Sequence, residues 1–228
     1  MALPRIATTD VLRTLEDLYP DAHCALIHRN AFELLVATIL SAQCTDKRVN
    51  EVTPRLFARY ATPWQLADAV VEDVEQLICE CGLFKMKAKN IVGTSKIIVE
   101  RYAGEVPNAM EDLVDLPGVG RKTANVVLSN AYGIPAIAVD THVQRVANRL
   151  GLVASDDVLE TERQLMRRIP RELWSQAHHW LIDHGRQVCA ARSPRCEMCA
   201  LAVHCRYFKA QAKAQARAIH KKTVGGGV

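Results

Sequence analysis

Residues 116–124 read Leu116-Pro117-Gly118-Val119-Gly120-Arg121-Lys122-Thr123-Ala124, a run with two glycines separated by one residue. Its two glycines permit positive φ angles and a close approach of another backbone, so the stretch predicts a tight turn where a helix begins. The N–H groups of such a turn and of the first helical turn form a site for a phosphate oxygen. A bare Gly-x-Gly would fit an ordinary corner between two helices, whereas the complete run is much more specific.

Apolar residues recur at intervals of three and four along most of the chain, as at Phe32, Leu35, Val36 and Ile39. This period predicts amphipathic helices, and no stretch alternates long enough to predict a sheet. Proline and glycine, including Pro54, divide the pattern into roughly nine or ten helices. We therefore predict an all-α protein.

Size and composition narrow the possible classes of protein. The 228 residues, 49% of them hydrophobic, suffice for one large or two modest domains, and the net charge of +4 gives only weak support for a polyanionic partner. We find neither a secretory leader pattern nor about 18 consecutive apolar residues. We expect an intracellular protein without membrane association, whose eight cysteines are reduced thiols or metal ligands.

Four of the cysteines lie within seventeen residues, in the pattern Cys189-x6-Cys196-x2-Cys199-x5-Cys205. Four thiolates hold either zinc or an iron–sulfur cluster, and the type of donor alone does not choose between them. Arg192 and Arg195 lie in the same loop. They predict a basic surface that meets phosphates, although a solvated charged face explains such a cluster as well.

Taken together, these motifs resemble the endonuclease III family of DNA glycosylases. The resemblance extends from about Phe32 through Cys205 and includes three further runs. They are Ser41-Ala42-Gln43-Cys44-Thr45-Asp46, Ala138-Val139-Asp140-Thr141-His142-Val143 and His178-His179-Trp180-Leu181-Ile182. The cysteine spacing matches the 4Fe-4S loop of that family residue for residue. The resemblance therefore implies a 4Fe-4S cluster held by Cys189, Cys196, Cys199 and Cys205, rather than zinc.

The resemblance also implies the architecture, an all-α, two-lobed helix-hairpin-helix glycosylase fold with a C-terminal 4Fe-4S loop. We expect residues 24–133 to form a six-helix barrel lobe that contains the hairpin. Residues 1–23 and 134–209 would form the iron–sulfur cluster lobe, and residues 210–228 a flexible tail. The active site is expected in the cleft between the lobes.

By the same resemblance the protein is a bifunctional DNA glycosylase and apurinic/apyrimidinic (AP) lyase, with Lys122 and Asp140 as its catalytic pair. The carboxylate of Asp140 would stabilise the oxocarbenium-like sugar that forms as the base leaves. Lys122, partly desolvated, would attack the sugar and form a Schiff base, from which β-elimination cleaves the strand. The alternative interpretations are a solvated lysine and a helix N-cap. The alternative functions are a monofunctional adenine or mismatch glycosylase and a non-catalytic helix-hairpin-helix DNA-binding protein.

The expected partner is double-stranded DNA that contains oxidised pyrimidines or abasic sites. Gln43 and Leu83 would enter the duplex beside the rotated nucleotide, and Arg192 and Arg195 would bind phosphates. The hairpin would grip the DNA backbone, with a monovalent cation at its turn when DNA is bound, through Gly118, Val119, Gly120, Arg121 and Thr123. We expect a monomer that works in the cytoplasm, associated with the nucleoid.

Overall fold

The structure is a computed structural model that describes residues 8–224, and these residues contain helices but no strand. The α-helices are α1 (Thr8–Leu18), α2 (Ala31–Ser41), α3 (Asp46–Arg59), α4 (Pro63–Ala67), α5 (Val71–Leu77), α6 (Phe84–Tyr102), α7 (Met110–Val114), α8 (Arg121–Ala131), α9 (Thr141–Leu150), α10 (Val158–Arg168), α11 (Trp174–Gln187) and α12 (Arg206–Val224). Two short 3-10 helices cover Arg171–Leu173 and Cys196–Met198. The predicted all-α class is confirmed, with more helices than the breakers indicated.

The helix boundaries follow local chemistry in most places. Asn30 caps α2, because its side chain accepts a hydrogen bond of 2.9 Å from the backbone N–H of Glu33. The prediction that Pro54 ends a helix is wrong, since Pro54 lies inside α3. It is on the exposed face of that helix. The carbonyl that loses its partner to the proline ring can therefore turn to water, which reduces the cost of the break.

Contacts between residues divide the chain into two compact units. One consists of residues 24–138, and the other joins the residues up to His23 with those from Val139 onward. The division falls after Ala138, later than the expected boundary at residue 133. Ala136 and Ala138 belong to the apolar core of the first unit, which explains why the segment after α8 stays with that unit.

The unit of residues 24–138 contains α2 to α8, one helix more than the expected barrel of six. Helix α2 is its centre, since it is buried from Phe32 to Leu40 and packs against α3, α6 and α8. A helix that is apolar on every side belongs in the core of a protein. The one acidic residue among its buried positions, Glu33, is paired with the Arg29 guanidinium, whose Nε lies 2.8 Å away.

In the second unit, α11 packs against α1 and α9. The amphipathic helix α1 contributes Val11, Leu12 and Leu15 to the buried surface. Close packing of α11 on α9 depends on Gly185, where a Cβ atom would come within 3.0 Å of the His142 side chain. A larger residue at position 185 would push the two helices apart.

Helix α12 continues to Val224, so helical structure reaches far into the segment that we expected to be a flexible tail. The end of that segment, residues 225–228, lies outside the described residues, and the flexibility of the tail stays a prediction. Within residues 8–224, no helix combines the length and the apolar character that a bilayer crossing requires.

Candidate active site

The turn between α7 and α8 is held in place by α6. Gly118 has a φ of +76°, and a Cβ atom there would lie only 2.7 Å from the Asn90 side-chain nitrogen. The hydroxyl of Thr94 donates a hydrogen bond of 2.8 Å to the carbonyl of Pro117. Glycine is therefore required at position 118 by both its backbone angle and its neighbour. The hairpin predicted from the sequence is present.

The beginning of α8 offers backbone donors to an anion. No side chain caps the helix at Gly120, and a Cβ atom there would meet nothing within 4 Å. The first N–H groups of a helix have no partner inside the helix, and the helix dipole is positive at that end. The fold itself thus leaves room above Gly120 that a phosphate group would fill.

The other hairpin residues differ in what they present to solvent. Arg121 is exposed and Thr123 half-buried, whereas the side chain of Val119 is only 6% exposed. Val119 packs in the core of its unit, and its amide donates to the carbonyl of Leu116 at 3.0 Å. Any contact of Val119 with DNA would involve its backbone alone.

Lys122 lies in the first turn of α8 and its side chain is exposed. The protein fold alone does not supply the partial desolvation expected for its amine, so bound DNA would have to do so. One turn further along α8, the buried amide of Asn125 donates a hydrogen bond of 2.9 Å to the carbonyl of Ile137. This bond fastens the segment that leads to Asp140 onto the helix that carries Lys122.

Gln43 and Leu83 share an unusual backbone conformation. Their φ angles are 53° and 59°, in the left-handed region that residues other than glycine rarely adopt. Both side chains are exposed, Leu83 to 56%. Their turns also touch, since a Cβ atom on Gly82 would lie 3.3 Å from the carbonyl oxygen of Gln43. Strained backbone and an exposed large apolar side chain are typical of a surface built for contact rather than for stability.

Asp140 belongs to the other unit, where it is the N-cap of α9. Its Oδ1 atom accepts hydrogen bonds of 2.8 Å from the amides of both His142 and Val143. The N-cap interpretation is therefore correct. The second carboxylate oxygen remains available for chemistry, so the two roles are compatible.

Two arginines of α9 bind carbonyl groups near the end of α11 and at the beginning of the cysteine loop. Arg149 donates to the carbonyls of Ala190 and Ala191 at 2.7 and 2.9 Å. Arg145 donates to the carbonyls of Gly185 and Cys189 at 2.9 and 3.1 Å. The helix that begins at Asp140 is thus directly attached to the start of the cysteine loop.

The four cysteines Cys189, Cys196, Cys199 and Cys205 line one cavity, together with apolar side chains such as Leu150 and Phe208. Burial raises the pKa of the Cys199 thiol, and the other three cysteines raise it further. Four crowded thiols need a cationic partner to exist together as thiolates. In the described part of the chain, however, no three such side chains are arranged to hold a single metal ion. The four side chains nevertheless line one cavity, where a group bound by thiolates has its ligands at hand.

His184 supports this cavity from α11. Its Nε2 atom lies 3.6 Å from the sulfur of Cys199, and its Nδ1 atom lies 3.0 Å from the hydroxyl of Tyr19. Arg192 and Arg195, by contrast, are exposed on the loop, and Ser193 between them has a φ of 51°. Their expected contact with phosphates is sterically open and stays a prediction.

Sequence reasoning missed the residues that position these groups. Asn90, Asn125, Arg145, Arg149 and His184 were not among the predicted site residues. The one signal available in the sequence was Asn125, an asparagine one turn after Lys122, and its burial is seen only in the structure. The partners of the two arginines lie about 40 residues away in the chain, where no local pattern reveals them.

Comparison with known proteins agrees with this geometry. Residues 36–171 match the family described as HhH-GPD superfamily base excision DNA repair protein. The chain is 54% identical over 196 residues to endonuclease III of Bacillus subtilis, covering 86% of this chain and 90% of that protein. It is 44% identical over 198 residues to endonuclease III of Escherichia coli, covering 87% of this chain and 94% of that protein.

Solved structures give the same result. A trapped covalent intermediate of endonuclease III with DNA superposes with a TM-score of 0.88 at 50% identity, covering 92% of this chain and all of that one. A thermostable thymine-DNA glycosylase has a TM-score of 0.80 at 22% identity over 88% of this chain and 96% of that one, and so shares the fold. From its motifs, its hairpin and these similarities, the chain belongs to the endonuclease III family of HhH-GPD base excision repair proteins.

Proposed function

We propose that this protein is a bifunctional DNA glycosylase and AP lyase that removes oxidised pyrimidines from double-stranded DNA in base excision repair. The observation that carries the proposal is the exposed amine of Lys122 at the start of the uncapped helix α8. A nucleophile in that position is next to backbone donors suited to a phosphate. The 50% identical relative was captured as a covalent intermediate with DNA, which is the species that such an amine forms.

In the proposed reaction, the hairpin binds a phosphate and Lys122 attacks C1′ of the damaged nucleotide. The new carbon–nitrogen bond replaces the bond to the base, which leaves with a proton, while the carboxylate of Asp140 stabilises the positive charge on the sugar. Opening of the sugar ring converts the adduct to an imine. Loss of a proton from C2′ then expels the 3′ phosphate and cleaves the strand, and water releases the lysine.

Gln43 and Leu83 both lie in the unit of residues 24–138. We propose that they fill the space left by the rotated nucleotide, because they are exposed and lie on touching turns. Unstacking a base costs a few kcal/mol, and a damaged base lowers that cost. Arg192 and Arg195 would add phosphate contacts, and a monovalent cation would bind the hairpin turn in the complex with DNA. We further propose a monomer that acts in the bacterial cytoplasm on the nucleoid.

Trapping with borohydride tests the proposed nucleophile. Reduction of the imine on duplex DNA with a single oxidised pyrimidine should give a covalent adduct of protein and DNA. Lys122→Ala should abolish the adduct, because it removes the amine that we propose attacks C1′. Lys96→Ala, which removes an exposed lysine of α6, serves as the matched control and should trap normally. Base release without any adduct in the unmodified protein would instead support a monofunctional glycosylase.

We also propose that the cavity between the four cysteines holds a 4Fe-4S cluster with a structural role. Excision and β-elimination require no electron transfer, so the cluster would only shape the loop that carries Arg192 and Arg195. Purified protein should be brown, with a broad absorbance at about 400 nm and four iron atoms per chain. Cys199→Ser should lose this absorbance while Cys79→Ser retains it, since Cys79 is exposed and outside the cavity. A colourless protein with one zinc per chain would contradict the proposal.

A further inference from the structure

Two cysteines outside the cluster loop lie on the turns that carry Gln43 and Leu83. Cys44 directly follows Gln43, and Cys81 precedes Leu83 by two positions. The turns are in contact through the residues next to these cysteines, since a Cβ atom on Gly82 would lie 3.3 Å from the Gln43 carbonyl. The fold thus brings two thiols, separated by 37 positions in the sequence, to one place.

The thiols differ in accessibility and interact with each other. Cys44 is half-buried, whereas Cys81 is only 1% exposed. Burial and the adjacent thiol of Cys44 raise the pKa of Cys81 to about 11, against a smaller lowering by Lys87. The two thiols also interact through a side-chain hydrogen bond, which places their sulfur atoms close together. A solvent-borne oxidant would reach Cys44 first, with Cys81 behind it.

A buried cation completes the arrangement. Lys87, in the first turn of α6, is 4% exposed and donates a hydrogen bond of 2.8 Å to the carbonyl of Leu40. Burial lowers the pKa of Lys87, while Cys81 and Cys44 both raise it, so its ammonium group interacts electrostatically with both thiols. A neighbouring cation stabilises a thiolate, which is the reactive form of cysteine.

We propose that Cys44 and Cys81 form a reversible disulfide when the protein meets peroxide, and that this bond fastens the Gln43 turn to the Leu83 turn. The Cys44 thiolate attacks hydrogen peroxide, an S–O bond forms, the O–O bond breaks, and the departing hydroxide takes up a proton as water. Cys81 then attacks the sulfenic sulfur. The S–O bond breaks, and hydroxide leaves as water with the proton of the Cys81 thiol. Two thiols are oxidised and one peroxide is reduced to two waters, and a dithiol reductant reverses the change.

The consequence for DNA rests on the proposed function, in which these two turns enter the duplex. A covalent bond between the turns restricts the backbone motion that insertion requires. Oxidised protein should therefore bind duplex DNA with an abasic-site analogue several-fold more weakly than reduced protein. Adding dithiothreitol should restore the affinity.

Peptide mapping tests the disulfide directly. The folded, cluster-loaded protein is treated with hydrogen peroxide, its remaining thiols are alkylated, and it is digested with a protease that cleaves after glutamate. Because Glu80 lies between Cys79 and Cys81, the two cysteines fall in different peptides. We expect a linked pair of the Cys44 and Cys81 peptides, lighter by two hydrogens than the separate peptides and absent after reduction.

Three variants give the controls. Cys44→Ala and Cys81→Ala should each abolish the linked pair and the loss of DNA affinity, whereas Cys79→Ala, an exposed neighbour, should retain both. Oxidation of Cys44 to sulfinic acid with Cys81 left as a free thiol would overturn the proposal. A Cys44–Cys79 disulfide formed in the same yield as the Cys44–Cys81 disulfide would also overturn it. Unchanged affinity of the linked protein would overturn its effect on DNA binding. Absence of excision by the reduced protein would count against the proposed function and leave the disulfide result standing.

Discussion

The carboxylate of Asp140 caps α9 through Oδ1, which accepts the amides of His142 and Val143. Catalysis would use the negative charge of the same group. A cap depends on an acceptor oxygen, which asparagine supplies about as well as aspartate. Stabilising a positively charged sugar depends on the full charge, which asparagine lacks. Substitutions at this residue therefore separate the two roles.

We predict that Asp140→Asn leaves the free energy of unfolding almost unchanged, whereas Asp140→Ala lowers it by about 1 kcal/mol through loss of the cap. Both variants should reduce excision by about a hundredfold or more, because each removes the charge. Thermal unfolding and single-turnover excision measure the two effects.

The matched control for Asp140 is Asp157, which caps α10 by accepting the amide of Glu160 at 2.7 Å. Asp157→Ala should cost a similar amount of stability and leave excision intact. Full excision by Asp140→Asn would show that the carboxylate serves only the helix.

Individual residues also show how far sequence reasoning extends. The caps at Asn30 and Asp140 were predictable because side chain and helix start are adjacent in sequence. The left-handed angles of Gln43 and Leu83 were not, since neither residue type favours that conformation. The resemblance nevertheless assigned both residues to the DNA-facing surface, where strained backbone is commonly retained.

At the scale of elements, the hairpin contains two glycines that the structure distinguishes. Gly118 has a positive φ and lies against Asn90, so the fold itself requires glycine there. Gly120 has a φ of −91° and empty space where a side chain would be. The sequence pattern treats the two positions alike. Only the structure shows that the fold does not require the second glycine, which the proposed phosphate site would explain.

We predict that Gly118→Ala lowers the free energy of unfolding by about 1 to 3 kcal/mol, because alanine is strained at a positive φ and meets Asn90. Gly120→Ala should leave stability within about 0.5 kcal/mol of the parent and weaken binding to undamaged duplex DNA several-fold, since a methyl group would occupy the phosphate position. Chemical denaturation and fluorescence anisotropy measure these effects. Normal DNA binding by Gly120→Ala would contradict the proposed phosphate site.

The attachment of α9 to the cysteine loop is a contact between elements that the sequence did not predict. The period of apolar residues predicted α9 and the cysteine spacing predicted the loop. Their connection depends on Arg145 and Arg149, which bind carbonyls rather than side chains. Every residue has a backbone carbonyl whatever its side chain, so the sequence alone could not reveal which carbonyls these arginines bind.

At the scale of the whole molecule, stability should depend on pH through histidines of α11. Burial lowers the pKa of both His179 and His184 to about 4, from the usual value of 6.5. For His179, nearby His23 and Arg186 contribute to this lowering after burial. A depressed histidine pKa means that the folded protein holds the neutral form. Its contribution to stability is complete above pH 6.5 and is lost as the pH falls towards 4.

We therefore predict that the free energy of unfolding falls by about 1 to 2 kcal/mol for each of the two histidines when the pH is lowered from 7 to 5. The thermal midpoint should fall with it. The His179→Gln variant should lose less stability over this interval than the parent, because glutamine takes up no proton. His179 is the better choice for the test, since His184 lies beside Cys199 and its removal would also disturb the cysteine cavity. Circular dichroism at 222 nm follows the helices, while absorbance at about 400 nm reports separately on the proposed cluster. Equal losses of stability in the parent and in His179→Gln would show that this histidine takes up its proton equally in the folded and unfolded chain, and would place the acid sensitivity elsewhere in the chain.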